Sequence, residues 1–354
     1  MQLRGGVARR RLHAAVSRFA KDRNIKQALT LLQNECVSTD LTFEEKVAKL
    51  AAKQEPAEEP DPAPPPQREG VPTIPSFQLV KALRKMKRNA ALCIDGWSPQ
   101  ILRQAIAVDP GIINFVSSFI RRIACKSLPA EVMSYMTTGR HVAVPKGVSD
   151  IRPITVSNFF VKLFGAVAME VNKMDMPTWQ YGVGKRGGAE VAFHRIKTAH
   201  LAGKYVLVTD NVNAFSCLSR RFLLKALENE GPMVRAYAEL MYGDVSNLMI
   251  FGPGGIFDIL ANTEGTRQGC QAASAIFARA CSAALQPLFD DWKRRGIKVV
   301  PVSYLDDISL ILDSEHDIAT VISELEAALA TAGLSINISK SAVLLPPNAP
   351  KLAE

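Results

Sequence analysis

The sequence predicts an α+β fold in which helices pack on a small, mostly antiparallel sheet. Two short apolar runs, 205–210 and 299–312, end in or contain acidic residues and are typical of strands. Apolar residues recur instead at helical spacing in six segments, namely 77–87, 101–127, 159–174, 189–200, 220–229 and 317–332. Because helical patterns follow each strand, we expect the helices to flank the sheet.

The composition indicates a globular chain, and its charge allows a polyanionic partner. The 354 residues are 47% hydrophobic and 22% charged, which is enough to bury a substantial core. The formal net charge of +9 makes a polyanionic ligand plausible, because Lys and Arg gain affinity by displacing counterions from phosphates. Charge alone leaves a merely soluble basic protein equally open.

The six cysteines are scattered singly, without a C-x-x-C pair or a His at zinc-ligand spacing. They predict reduced thiols in an intracellular protein. No apolar run reaches the roughly 18 to 20 residues that span a bilayer, so no membrane association is expected. Residues 1–21 are rich in Arg and Ala, and we interpret them as an ordinary basic helix in preference to a mitochondrial presequence.

The chain divides by composition at both ends. Residues 1–53 are predicted to form a basic helical N-terminal segment. Residues 54–74 are rich in Pro and Glu, which disfavour helix and cannot form a core, so they are predicted to be a linker. Residues 346–354 form a Pro-containing C-terminal tail.

Asp306 and Asp307 lie inside an otherwise apolar stretch, where unpaired charge is costly to bury. A β-hairpin with the Asp-Asp pair as its turn would bury both arms and project the carboxylates from the sheet edge. If the strand ending at Asp210 lies beside it, three carboxylates converge. Such oxygen ligands suit Mg²⁺, two of which can activate a hydroxyl and stabilise a leaving pyrophosphate. Taken alone, an Asp-Asp pair is more often a solvated turn.

Several motifs together resemble reverse transcriptases. Residues 304–307 (YLDD) resemble the Tyr-x-Asp-Asp box of that family, and residues 210–215 (DNVNAF) resemble its first aspartate motif. In the expected order, further segments are similar to the fingers motif, the Arg-Gln-Gly turn and the segment that closes the palm, namely 144–146 (VPK) with 151–154 (IRPI), 264–270 (EGTRQGC) and 333–341 (GLSINISKS).

Two other stretches resemble the enzymes of non-LTR retrotransposons, most of all site-specific elements of the trypanosomatid type. They are 95–97 (DGW) and 180–190, which contains QYGVG and GGAE. The motifs together cover about residues 90–345. One departure is Cys270, which stands close to where the family usually has Pro after the Gln-Gly turn, and it puts the shape of that turn in doubt.

The resemblance implies a polymerase right hand, with fingers and N-terminal helices over 75–204 and palm over 205–345. Only residues 346–354 follow the palm, so we expect the thumb to be absent or vestigial and primer-template binding to be weak. Whole elements of this type also carry zinc fingers and an endonuclease, which suggests a fragment or a truncated copy. The implied cellular location is the nucleus.

The resemblance also assigns roles to individual residues. Asp210 and Asp306 would bind Mg²⁺, with Mn²⁺ as the alternative ion, and Asp307 would be a weaker third ligand. Asp210 could otherwise be a strand-end helix cap. The implied substrate-binding residues are Lys146 and Arg152 for the triphosphate, Phe215 for exclusion of a 2′-hydroxyl, Gln268 and Gly269 near the incoming nucleotide, and Lys340.

Each substrate-binding assignment has a plainer alternative. Lys146 and Arg152 could serve only solubility, Phe215 could be a core aromatic, and Gln268 could be a polar loop residue. Lys340 would either donate a proton to pyrophosphate or cap the palm.

The sequence leaves three hypotheses about the function of the chain. The leading hypothesis is an RNA-directed DNA polymerase that takes an RNA template, a DNA primer and deoxynucleoside triphosphates. The second is a catalytically inactive or truncated nucleic-acid-binding relic of a retrotransposon. The third, an RNA-directed RNA polymerase, is disfavoured by Phe215 and by the YLDD box.

Overall fold

The computed structural model describes residues 41–54, 73–87, 93–146, 150–314 and 317–347. Most of the predicted basic N-terminal segment and linker, and the tail after residue 347, lie outside the described residues. The boundaries predicted at residues 53, 74, 204 and 345 stay predictions.

In the described residues, five helices precede the first strand, and helices and strands are mixed along the rest of the chain. The helices are α1 Phe43–Ala51, α2 Ser76–Lys85, α3 Pro99–Val108, α4 Ile112–Ala124, α5 Ala130–Thr137, α6 Phe159–Val171, α7 Gly188–Leu201, α8 Ala214–Cys217, α9 Arg220–Ala226, α10 Pro232–Tyr242, α11 Ala273–Arg295 and α12 Ile318–Ala330. The strands are β1 Gly139–Lys146, β2 Asp150–Ser157, β3 Tyr205–Thr209, β4 Ser246–Phe251, β5 Phe257–Asn262, β6 Val299–Tyr304, β7 Asp307–Leu312 and β8 Ala342–Leu344.

Local sequence explains several boundaries. Thr42 begins α1 with a capping box, in which its side chain accepts a hydrogen bond from the Glu45 amide and the Glu45 carboxylate accepts one from the Thr42 amide. The single helix predicted over 101–127 is wrong, because the structure divides it into α3 and α4. Asp109, Pro110 and Gly111 stand at the break, and Pro cannot donate the backbone hydrogen bond that would continue a helix.

The α+β class is confirmed, but the described residues contain two four-stranded sheets instead of one. The predicted sheet has the order β6-β7-β3-β8 and is antiparallel throughout. The second sheet has the order β2-β1-β4-β5 and includes a short parallel pairing of β1 with β4. The β4–β5 hairpin escaped prediction because its burial depends on distant elements. Leu50 of α1, Ile151 of β2 and Ile250 of β4 share one small apolar cluster.

The main core lies among the helices and one face of the predicted sheet. Helix α6 is apolar along nearly its whole length, and most of its side chains are buried. The 23-residue helix α11 runs through the same core and packs on α9 and α12. This core fixes the positions of the strands whose ends carry the acidic residues.

Two simpler predictions concern thiols and membranes. The five cysteines within the described ranges are all free thiols. In those same ranges, no helix combines the length and apolar character needed to cross a membrane.

Candidate functional site

Strand pairing brings Asp210 to the edge of the sheet where Asp306 lies. Strand β3 ends at Thr209, which pairs with Ile308 of β7. Asp210, the residue that follows this strand, therefore lies beside the turn that precedes β7. The side chain of Asn211 donates a hydrogen bond from Nδ2 to the backbone oxygen of Asp306 at 2.8 Å. Two segments far apart in sequence are therefore joined beside the acidic turn.

The acidic hairpin differs in detail from the prediction. Tyr304 pairs with Asp307, so Leu305 and Asp306 form the two-residue turn and Asp307 is the first residue of β7. The prediction that Asp306 and Asp307 together form the turn is therefore wrong by one residue. The cause is backbone geometry: tight hairpin turns favour positive φ, and Leu305 has φ 59°.

The carboxylates at this edge interact electrostatically. Burial is the main cause that raises the pKa of Asp306, and the nearby charge of Asp210 raises it further. For Asp307, desolvation and then the charges of Asp306 and Asp210 raise the pKa. Asp307 is exposed to solvent, so we attribute its raised pKa mainly to the charges of Asp306 and Asp210. An acidic cluster of this kind favours a bound cation.

Whether the carboxylates at this edge can bind a divalent metal ion depends on the number and type of oxygen ligands that the ion needs. Within the described ranges, no three His, Cys, Asp or Glu side chains are grouped so that they could hold a metal ion together. Strand pairing brings Asp210 beside the acidic turn, and the binding of a metal ion by these three carboxylates stays a prediction. Mg²⁺ needs only one or two protein carboxylates when substrate phosphates and water supply the remaining oxygens. The residues present therefore fit the ion.

The segment after α12 surrounds Asp210. Strand β8 pairs with β3, and the backbone oxygen of Asp210 accepts a hydrogen bond from the Asn337 amide at 2.7 Å. The Asp210 amide donates to Ser341 Oγ at 3.2 Å. Lys340 Nζ lies 3.8 Å from Asp210 Oδ2, which places this lysine at the acidic edge.

The two predicted triphosphate ligands lie on the β1–β2 pair. Lys146 is the last residue of β1, Arg152 is on β2, and both side chains are exposed. The positive charges of Arg152 and Lys146 act on Asp306 and lower its pKa, against the larger effect of burial. Both cations therefore lie within electrostatic range of the acidic turn, as a phosphate-binding role requires.

Phe215 occupies a core position. It lies in α8, is 7% exposed, and stacks on Phe277 of α11 with 4.4 Å between ring centroids. This placement agrees with the core-aromatic alternative. Its role in excluding a 2′-hydroxyl stays a prediction.

The turn at Gln268 and Gly269 docks on β2. The backbone oxygen of Gln268 accepts a hydrogen bond from the Thr155 amide at 2.7 Å. Gly269 has φ +98°, and a Cβ there would lie 2.6 Å from the Thr155 oxygen, so the close approach requires glycine. Cys270 Sγ is 2.9 Å from Ser157 Oγ, so the residue that departs from the family pattern also contacts β2.

A buried polar group beside this turn was not predicted. Arg267 is 2% exposed and Arg220 is 5% exposed. Both donate to Asn262 Oδ1, Arg267 from Nε at 3.0 Å and Arg220 from a terminal nitrogen at 2.5 Å. Burial lowers the pKa of Arg220 to about 10. Only the tertiary contacts identify these arginines as structural, because a pattern of single residues along the chain does not distinguish them from surface cations.

Residues 144–351 match the family described as reverse transcriptase (RNA-dependent DNA polymerase), which is more than half of the chain. The chain belongs to the reverse transcriptase family. The reverse transcriptase region begins within β1 and contains every site residue named above, from Lys146 to Lys340. No curated protein sequence matches the chain.

Solved structures with similarity to this reverse transcriptase include telomerases. Telomerase from Candida albicans with a TWJ fragment of telomeric RNA is 12% identical with a TM-score of 0.45, over 61% of this chain and 44% of that one. Apo telomerase from Candida tropicalis is 12% identical with a TM-score of 0.45, over 67% of this chain and 50% of that one. The chain thus spans about half the length of these proteins or less.

Proposed function

We propose that this chain is an RNA-directed DNA polymerase that extends the 3′-hydroxyl of a DNA primer on an RNA template. The observation that carries the proposal is the pairing of Thr209 with Ile308, which sets Asp210 against the turn containing Asp306. Membership of the reverse transcriptase family supports the same reaction. The substrates are deoxynucleoside triphosphates.

The carboxylates carry the chemistry. Asp210 and Asp306 bind the divalent cation, Mg²⁺ or alternatively Mn²⁺, and Asp307 helps to position it. When bound, that ion lowers the pKa of the primer hydroxyl and neutralises charge on the leaving pyrophosphate. Burial, together with the charge of Asp210, raises the pKa values of Asp306 and Asp307, and a bound cation would stabilise their ionised forms.

The remaining residues orient the nucleotide. Lys146 and Arg152 hold the triphosphate, and the planar guanidinium of Arg152 binds two phosphate oxygens at once. Gln268 and Gly269 contact the nucleotide from the turn on β2, and Phe215 lies beneath its sugar. Lys340 either donates a proton to pyrophosphate or screens Asp210, from which it is 3.8 Å away.

The proposed origin is a non-LTR retrotransposon of the site-specific, trypanosomatid-like type, acting in the nucleus. The motifs at 95–97 and 180–190 support it. Within this proposal, residues 75–204 form the fingers and residues 205–345 the palm. Sequencing of the flanking genome tests the origin, because Cys-His fingers upstream and an endonuclease downstream are expected.

The activity is tested by primer extension on an RNA template with Mg²⁺ and deoxynucleotides. We expect product from the wild type, and at least about a hundredfold less from Asp306→Ala, because charge stabilisation at the reacting phosphate is lost. Asp258→Ala is the matched control, since Asp258 is an exposed residue of the edge strand β5. Equal extension by the wild type and Asp306→Ala would contradict the proposal.

A second candidate is a nucleic-acid-binding relic without catalysis. The formal net charge of +9 supports it, because basic residues bind nucleic-acid phosphates without any catalytic step. The relic would bind RNA with an affinity that falls steeply as salt rises, yet would incorporate no nucleotide with either Mg²⁺ or Mn²⁺. Measuring RNA binding and primer extension on one preparation separates the two candidates.

A further inference from the structure

A polar side chain is fully buried behind the acidic hairpin. Gln180 lies in the loop between α6 and α7, and it is 0% exposed. Its loop runs beside β6: the Tyr181 amide donates to the Ser303 oxygen at 2.7 Å, and the Ser303 amide donates to the Trp179 oxygen at 2.8 Å. The loop therefore fixes the glutamine against the strand that leads into the turn.

The amide group of Gln180 holds the backbone of the turn. Its Oε1 accepts hydrogen bonds from the Leu305 amide at 3.0 Å and from the Gly182 amide at 2.8 Å. Its Nε2 donates to Ser303 Oγ at 3.0 Å, and Ser303 Oγ in turn donates to the Leu305 oxygen at 3.1 Å. Gln180 thus bonds the Leu305 amide directly, and it bonds the Leu305 oxygen both directly, from Nε2 at 3.5 Å, and through Ser303.

Leu305 needs such support because of its conformation. Its φ of 59° is in the left-handed region, which side chains with a Cβ rarely adopt and which persists only where the surroundings enforce it. Leu305 immediately precedes Asp306, so its backbone angles set the direction of the Asp306 side chain. Gly182 also permits the arrangement, since a Cβ there would lie 2.7 Å from the Leu305 nitrogen.

We infer that Gln180 is a positioning residue that holds Leu305 in its left-handed conformation and so fixes the direction of the Asp306 carboxylate. The inference rests on the proposed polymerase function for its consequence in catalysis. Its structural part, the bond from the Leu305 amide to Gln180, is measurable without catalysis.

The first test is Gln180→Leu, which keeps a side chain of similar volume and removes both hydrogen-bonding groups. We expect kcat for nucleotide addition to fall between about tenfold and about a hundredfold, as for a misplaced catalytic group, with KM for the nucleotide within about twofold of wild type. In metal-free protein, the Leu305 amide should exchange its hydrogen faster while the amides of β3 keep their protection. Gln104→Leu, at an exposed position of α3, is the matched control.

The second test is rescue. Glycine adopts positive φ at no steric cost, so Leu305→Gly should restore part of kcat in the Gln180→Leu background. If Gln180 only stabilised the fold, Leu305→Gly would remove a further side chain and would not restore kcat. Ser303→Ala, which removes only the hydroxyl that bonds the Leu305 oxygen, should lower kcat by about threefold to tenfold and covers the case in which Gln180→Leu does not fold.

Wild-type kcat together with wild-type Leu305 exchange in Gln180→Leu would overturn the inference. A fall in kcat accompanied by faster exchange throughout β3, β6 and β7, with no rescue by Leu305→Gly, would also overturn it. If the wild type adds no nucleotide, the proposed function fails. The exchange of the Leu305 amide in Gln180→Leu then still decides whether Gln180 holds the turn.

Discussion

Lys340 Nζ lies 3.8 Å from Asp210 Oδ2, so a cation from the segment before β8 faces the carboxylate that follows β3. Both side chains remain partly exposed, at 58% for Lys340 and 38% for Asp210. A lysine in this position would compete with the proposed divalent cation for the same carboxylate oxygen.

Lys340→Met should therefore tighten the binding of divalent ions. We expect the Mg²⁺ concentration at half-maximal primer extension to fall by no more than about fivefold, because an exposed ion pair contributes about 1 kcal/mol or less. The matched control is Lys204→Met, since Lys204 pairs with Asp313 at 2.8 Å by the opposite end of β3. An increase in the required Mg²⁺ would show instead that Lys340 contributes to the reaction.

The pH dependence of stability should differ in sign between two aspartates. Burial and the charge of Asp210 raise the pKa of Asp306, so its neutral form favours folding and this stability is lost as pH rises through the folded-state pKa. Asp306→Asn should accordingly raise the Tm of metal-free protein at pH 7 to 8, with little change near pH 3, as measured by thermal unfolding across pH.

Asp313 is the opposite control. The hydrogen bond from Lys204 lowers the pKa of Asp313, so its stabilising contribution is present at neutral pH and is lost as pH falls through the folded-state pKa. Asp313→Asn should lower the Tm at pH 7 and have no effect at low pH. The same sign for both variants would contradict the assignment of a crowded acidic edge.

Phe215 should contribute to both stability and sugar selection. Phe215→Ala removes a buried ring that stacks on Phe277, and we expect the free energy of unfolding to fall by about 3 to 5 kcal/mol in denaturant titrations. If the ring also lies beneath the sugar, the ratio of ribonucleotide to deoxynucleotide incorporation should rise. Phe277→Ala breaks the same stack and should destabilise by a similar amount without changing that ratio.

Gly269→Ala should disturb the turn on β2 more than backbone strain alone would. The added Cβ would lie 2.6 Å from the Thr155 oxygen, at a position whose φ is +98°. We expect a loss of stability above the roughly 1 kcal/mol typical of alanine at positive φ, together with weaker nucleotide binding. Gly203→Ala, at φ +82° with open space around it, isolates the strain. Equal losses in the two variants would show that the contact is not tight.

The sequence by itself determined the α+β class, the strands at the acidic residues and the family, because period-two and helical patterns and short motifs are local properties. It also predicted a metal-binding role for Asp210 and Asp306, since their motifs stand in a fixed order. The hairpin turn predicted from the sequence was wrong by one residue, and the single helix predicted over 101–127 is divided into α3 and α4.

Only the tertiary structure decided how the acidic edge is supported. The bonds from Gln180 to the turn, and from Asn211 to Asp306, join segments 95 or more residues apart. The same holds for the β4–β5 hairpin and for the buried guanidiniums of Arg220 and Arg267, whose partners come from several elements. Local patterns report which face of an element is apolar, whereas a buried polar group is stable only when distant partners meet its hydrogen bonds. That requirement is satisfied only in the folded chain.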